Sequence, residues 1–386
     1  MLPALIFLLI LSALVLFHEL GHYVLARLFG VKADEFGFGF PPRALGFVNV
    51  DGKWKRVGRT DRTRYANTVW SLNWLPLGGF VRLKGEAGED GKDPDSLLAK
   101  NGWQKFAILA AGVTMNWLFA AVVFSTGFMI GVPAVTEGLP PTAIVTDPRV
   151  QIMEVVPSSA AAKAGLKAGD EIVTVEGQRI TDAAAAQSLL QQHTKVGEEI
   201  TLEIKRDGKM EALLAMPEYL AALDRPGLGV ALADTATVRF PAWLAVGEGI
   251  TMTARYTWMI ITGFFGLIGS LFIGKPSAEL SGPVGIAVMT GGIVAQGKWA
   301  VAQFAAILSL NLAVINFLPI PALDGGRATF VLIEAIRRKK NNGRTEAMVH
   351  QIGFITLIII VLLVTLQDLR RYGGTIWQGI VGLFGG

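Results

Sequence analysis

The stretch Phe17-His18-Glu19-Leu20-Gly21-His22-Tyr23 sets H-E-x-x-H inside an almost uncharged apolar run, Leu2 to Leu28. Histidines four positions apart lie on one face of a helix, where both imidazoles can bind one Zn²⁺ and the intervening glutamate can reach a water beside it. Three ionisable side chains in a membrane-length segment are costly unless a metal or a partner compensates them. The stretch therefore predicts a membrane helix that carries part of a hydrolytic metal site.

Working outward, the 386 residues are 52% hydrophobic and only 17% charged, with a mean hydropathy of +0.47. That is too apolar for an ordinary soluble protein and predicts a polytopic α-helical membrane protein whose first partner is the lipid bilayer. Met1 to Phe17 carries no Lys or Arg before its apolar stretch and no small-residue cleavage pattern after it, so residues 2–28 read as a retained first span rather than a signal peptide. Phe106–Val132, Gln303–Pro319 and Ile352–Leu366 supply the other clear spans. The formal charge of +4 gives no reason to expect a nucleic-acid partner, and the absence of Cys excludes disulfides and thiolate ligands.

The basic residues orient the chain. Lys53, Lys55, Arg56, Arg59, Arg62 and Arg64 cluster in the 30–102 segment, and Arg337, Arg338, Lys339, Lys340 and Arg344 separate the last two spans. Both connections are expected on the cytoplasmic side, which leaves the N- and C-termini extracytoplasmic. Within the first connection, Val69 to Val81 (VWSLNWLPLGGFV) is too apolar for an ordinary exposed loop. A buried hairpin and a re-entrant, substrate-facing loop both fit it.

Between spans two and three the pattern changes. Gln151–Val156, Glu171–Glu176 and Glu199–Lys205 are short β-type runs, with a turn at Asp207-Gly208 and helical patches at Ser159–Ala164 and Ala183–Gln192. The expected division is a first half of the membrane core over 1–132, an extracytoplasmic α/β domain over 133–220, a connector over 221–302 and the second half of the core over 303–386.

A zinc site of this type needs a third ligand and an open position. The chain has four histidines in all; His193 falls in the α/β domain and His350 starts the last span, and both read as ordinary polar residues. Asp324 is the better candidate, in Asn316-Phe317-Leu318-Pro319-Ile320-Pro321-Ala322-Leu323-Asp324-Gly325-Gly326. His18 lies about 24 Å along its helix from the outer face, near the inner edge of a ~30 Å hydrocarbon core. Asp324 meets it only if its own span runs outside to inside. That parity leaves no room for a crossing at Trp258–Ile273, so residues 241–274, with Arg255 and Lys275 bracketing the apolar part, are expected to form an interfacial or re-entrant amphipathic element.

HELGH at 18–22, the Asn316–Gly326 segment, LPLGGFVRLKGE at Leu75–Glu86 and LSGPVGI at Leu280–Ile286 together resemble the bacterial site-2 proteases, intramembrane zinc metalloproteases of the regulator-of-sigma-E type. The resemblance spans nearly the whole chain. It implies a four-span metalloprotease core with one Zn²⁺ held by His18, His22 and Asp324, and Glu19 as catalytic acid/base. It also implies that Asn311 and Asn316 line the substrate path, and that the substrates are single-span membrane proteins such as anti-sigma factors or remnant signal peptides in a bacterial inner membrane. An edge near Gly78-Gly79-Phe80-Val81 can hold such a substrate extended. Where the family's second span reads AGPxxN, this chain has Ala111-Gly112-Val113-Thr114-Met115-Asn116. The inserted domain resembles a single PDZ domain at Ala160–Ile172, where the sigma-E type carries two; Gly227–Val230 is similar to its carboxylate-binding loop, which implies capture of peptide termini or a size filter. A non-catalytic PDZ-bearing scaffold needs none of these metal ligands, and a metal transporter places its site at the membrane midplane rather than at the inner boundary.

Overall fold

The structure is a computed structural model that describes residues 2–61, 63–86, 93–156, 158–193, 198–206, 208–220, 225–273, 282–339, 341 and 343–384. Arg62, Asp207, Lys275, Leu280, Ser281 and Lys340 lie outside them. The chain divides into two compact units, Met1–Phe124 with Gly249–Gly386, and Ser125–Glu248.

The first unit begins with α1 (Leu2–Leu28), then β1 (Ala33–Val50), β2 (Lys53–Val57) and β3 (Val69–Leu83), followed by α2 (Gly102–Ile130). The polar, glycine-rich connection is thus a sheet of order β2-β1-β3. Both long strands bend back on themselves, so that Phe36 pairs with Val81 and with Trp70. The arm Gly79–Leu83 pairs with Ala33–Phe38 and forms an edge. Its bend is fixed by α1: Ser12 Oγ donates to the Pro76 carbonyl at 2.9 Å and accepts from the Gly78 N–H at 3.2 Å. Ser12 is in the middle of α1, so the bend of β3 reaches the midpoint of an apolar helix of membrane length.

The second unit carries β4 (Val132–Val135), β5 (Ile144–Val155), α3 (Ala160–Lys163), β6 (Glu171–Val175), β7 (Gln178–Arg179), α4 (Ala183–His193), β8 (Ile200–Arg206), β9 (Lys209–Ala215), β10 (Glu218–Leu220), β11 (Arg225–Gly227) and β12 (Val230–Arg239). Among the described residues its main sheet runs β4-β12-β5-β6-β8-β9, with β7 on β6. Alternating inward residues Ile200, Leu202 and Ile204 of β8 join Ile152, Ile172 and Leu166 in one apolar core. The sheet does not stop at residue 220, because β12 lies between β4 and β5. A domain ended at 220 would lose an inner strand of its sheet.

The chain then returns to the first unit through α5 (Ala242–Phe272), α6 (Pro283–Ala295), α7 (Lys298–Phe317), α8 (Asp324–Arg337) and α9 (Gly343–Phe384). Among the described residues four helices are long and apolar enough to cross a membrane: α1, α2, α7 and the Gly343–Gly374 part of α9. Helix α5 is not one of them, although its 31 residues form one continuous helix rather than a broken re-entrant element. Its Met252, Tyr256 and Ile260, spaced at i, i+4 and i+8, pack on Ala120 and Phe124 of α2 and Ala306 and Leu310 of α7.

Candidate metal centre

Helix α1 presents His18 and His22 one turn apart, both buried. Asp324 arrives from the other end of the sequence. Helix α7 stops at Phe317, and the prolines at 319 and 321 prevent it from continuing. Ala322 adopts φ +78, and α8 starts at Asp324. Two glycines let this turn close: a Cβ at Gly325 or at Gly326 would run into the carbonyl groups of residues 317–318 or of Ile320. His350 serves the same turn, accepting the Ala322 N–H on Nδ1 at 2.9 Å. His193 ends α4 in the other unit.

The three side chains converge on one point. Asp324 Oδ2 lies 2.9 Å from His18 Nε2 and 3.3 Å from His22 Nε2, and the two ring nitrogens are 3.2 Å apart. One ligand atom from each lies within 4.8 Å of the others. Two imidazole nitrogens and a carboxylate oxygen are the donor set of a catalytic zinc site, with a fourth position left for water or substrate. The fit extends to the surroundings. His22 Nδ1 is engaged by the Ile108 carbonyl at 2.7 Å, which turns Nε2 to the cluster. Gly112 of α2 makes the room: a Cβ there would sit 2.7 Å from His18 Nε2 and closer still to His22 Nε2.

Glu19, half-buried, lies beside this cluster rather than in it. Its Oε2 accepts the Val81 N–H of the β3 edge at 3.0 Å. Cavities flank it on two sides. One is bordered by His18, Glu19, Asn116, Asn316, Leu323 and Asp324. The other is bordered by Glu19, His22, Gly79, Phe80, Val81 and Asp324, with the Glu86–Arg327 ion pair at its rim. Asn316, Gly79, Phe80 and Val81 are thus brought to the site, while Gly78 packs against Val15 of α1. Asn311 stands apart from both linings, its amide donating to the Ile307 carbonyl of its own helix at 2.9 Å. Sequence reasoning missed Ser12, and it showed Gly112 in the second-span segment without its role, because the importance of a small residue depends on which helix or strand it touches. Gly21 was visible inside the motif, but not its role: a Cβ there would strike the Ala111 carbonyl, so it brings α1 against α2.

Several known proteins are similar to this chain. Over 95% of this chain and 97% of its own length, the zinc metalloprotease RasP of Geobacillus kaustophilus (strain HTA426) is 30% identical. The regulator of sigma-W protease RasP of Bacillus subtilis (strain 168) is 29% identical over the same shares. A crystal structure of the PDZ domain of an SdrC-like protein from Listeria monocytogenes is similar over 23% of this chain and 92% of its own, at 26% identity and a TM-score of 0.21. The profile of peptidase family M50 matches residues 6–360. With the match running from the first helix into the last span and enclosing His18, His22 and Asp324, this chain belongs to peptidase family M50.

Proposed function

We propose that this multi-pass membrane protein is an intramembrane zinc metalloprotease of the site-2 type, with His18, His22 and Asp324 as zinc ligands and Glu19 as general acid and base. The observation that carries this is the meeting of two Nε2 atoms and one carboxylate oxygen beside a glutamate, with both histidines and the glutamate on a helix of membrane length. Zinc bound there supplies a Lewis acid for the scissile carbonyl and makes water a better acid. Glu19 accepts the proton from the attacking water and delivers it to the leaving amine. The Val81 N–H holds Oε2, which leaves Oε1 to handle that proton.

A transmembrane helix hides its amides in internal hydrogen bonds, so a substrate must unwind before it is cut. The edge of β3 around Gly78–Val81, which faces Glu19, supports pairing with the extended segment, and Asn316 lines its path. The name of the Bacillus subtilis relative supports a substrate that controls a sigma factor, such as a single-span anti-sigma factor; remnant signal peptides share the same chemistry. The two Lys/Arg-rich connections support a site near the cytoplasmic face of the inner membrane, with the termini and the PDZ-like insert outside. Peptide termini are the proposed ligands of that insert. In a chain without native Cys, Arg255→Cys should react with a membrane-impermeant thiol reagent from outside; labelling only after permeabilisation would refute this sidedness.

The test of the chemistry is cleavage of a reporter transmembrane segment. Glu19→Gln should lower turnover by roughly 10²–10⁴-fold with zinc retained. His18→Ala, His22→Ala and Asp324→Ala should lose zinc together with activity. Full zinc occupancy in Asp324→Ala would remove it from the ligand set.

A further inference from the structure

The metal reading leaves one buried polar group of the site unused, the side chain of Asn116. It is fully buried in α2 at 0% exposure, and an amide in a membrane span is expensive without a task. Four residues before it stands Gly112, on the same face of α2, where the missing side chain lets both histidine rings lie against the helix. This brings the Asn116 amide to His18, with Nδ2 3.3 Å from Nδ1 of the ring. Oδ1 of the same amide is buried and finds no hydrogen-bond partner among the described residues.

A histidine that offers Nε2 to a metal carries its proton on Nδ1 and needs an acceptor there. His22 has one in the Ile108 carbonyl. Among the described residues, His18 Nδ1 meets the Asn116 amide. With the Nδ2 group turned toward the ring, two N–H donors would confront each other, whereas a half-turn of the amide puts Oδ1 in its place. One amide atom is left over in either orientation, so the ring decides between them. The backbone is already held for this purpose from the other side: Ser309 Oγ of α7 donates to the Asn116 carbonyl at 2.9 Å.

We infer that Asn116 is a positioning residue of the metal centre, its Oδ1 accepting the Nδ1–H of His18 and so fixing the ring in the form that presents Nε2 to zinc. The inference rests on the zinc reading above. It also gives a use to the asparagine of the second span in a chain whose α2 runs straight through Val113 without a proline.

The test is zinc affinity of the full chain in detergent, measured by competition with a chelating indicator on monodisperse protein. Asn116→Leu keeps the volume and removes the acceptor, and is expected to weaken zinc binding about 10–100-fold. Asn116→Asp restores an acceptor and should return affinity to within a few-fold of the parent. Ser309→Ala loosens the packing of the same residue without touching the amide and should leave affinity within about twofold. Parent-like zinc binding in Asn116→Leu, or equal weakening in Asn116→Asp or Ser309→Ala, would overturn the inference. A parent chain that takes no zinc would instead overturn the metal reading, and this one with it.

Discussion

The two units of this chain differ in how they divide polar and apolar side chains between interior and surface. In the Ser125–Glu248 unit, the interior is aliphatic, with Ile152, Ile172, Ile200, Leu202 and Ile204 between 0% and 3% exposed. Its buried charge is confined, among the described residues, to Asp170, gripped by Arg206 at 2.7 and 2.6 Å. In the membrane unit, Leu2, Leu9, Val122, Ile359 and Leu363 are exposed, while Ser12, His18, His22, Asn116, Ser309 and Asp368 are buried. Each of those six has a named partner; Asp368, for example, caps α6 by accepting the Gly282 and Gly285 N–H groups. Where the solvent is lipid, apolar surface no longer drives packing, and position is set by close backbone approach and by hydrogen bonds.

Glycine substitutions should separate the two regimes most sharply. Gly112→Ala in the membrane unit drives a Cβ to 2.7 Å from His18 Nε2, so the rings must move. Zinc affinity should fall at least about tenfold, or by ~1.4 kcal/mol. Gly165→Ala in the other unit meets no atom within 4 Å, although its φ of +81 makes any side chain strained. It should cost about 1 kcal/mol of that unit's stability and leave zinc untouched. Chelator competition and thermal unfolding on both variants check this. Equal effects on zinc would erase the distinction.

The same contrast explains what could be read from the sequence. In the α/β unit, alternation in Ile200–Arg206 reports a half-buried strand directly, because one face meets water. The membrane helices are legible by length, and His18, Glu19, His22 and Asp324 by chemistry. Ser12 was not, and Gly112 and Asn116 were visible in the second-span segment without what they touch, because an apolar run carries no periodicity that marks which face meets which helix. The strands β1 to β3 were hidden for another reason: their register joins Phe36 to residues 34 and 45 positions away, information that is not local. The place of β12 in its sheet escaped for the same cause.

Removing the second unit should have a smaller and more selective effect. The cut must take β12 with β4, so residues 132–239 should be replaced by a Gly/Ser linker; a cut ending at 220 strands an inner strand. No proposed zinc ligand lies in this interval. Zinc content and cleavage of a short, pre-trimmed substrate should persist, while preference over substrates with bulky outer domains should drop by about tenfold, or ~1.4 kcal/mol. Loss of zinc in a monodisperse deletion would mean that the insert sets the geometry of the metal centre.

The smallest expected effect lies in the sheet beside α1, where the membrane unit buries an ion pair as the other unit does with Asp170. Glu35, 5% exposed, accepts from Arg43 Nε at 2.9 Å and from its terminal nitrogen at 2.6 Å, with Arg82 at 3.8 Å. Burial alone would push the Glu35 carboxyl up, but the hydrogen bonds of Arg43 and Ser71 and the charges of Arg43 and Arg82 hold it below its ordinary value of 4.5. A carboxyl held low in the folded state contributes stability that is present above the unfolded value and lost as pH falls through the folded one. Glu35→Gln should therefore destabilise the sheet by about 1–3 kcal/mol near neutrality, with the difference from the parent shrinking as pH drops below ~4.5. Asp61, Asp95 and Asp182 are also held low, by hydrogen bonds at other points of the chain, so both proteins lose stability in acid and only their difference isolates Glu35. Hydrogen exchange of the β1 and β3 amides against pH reads that difference. Curves that coincide at every pH would show that this buried pair does not stabilise the strand that faces Glu19, and that its contacts with α1 through Ser12 and Glu19 hold it instead.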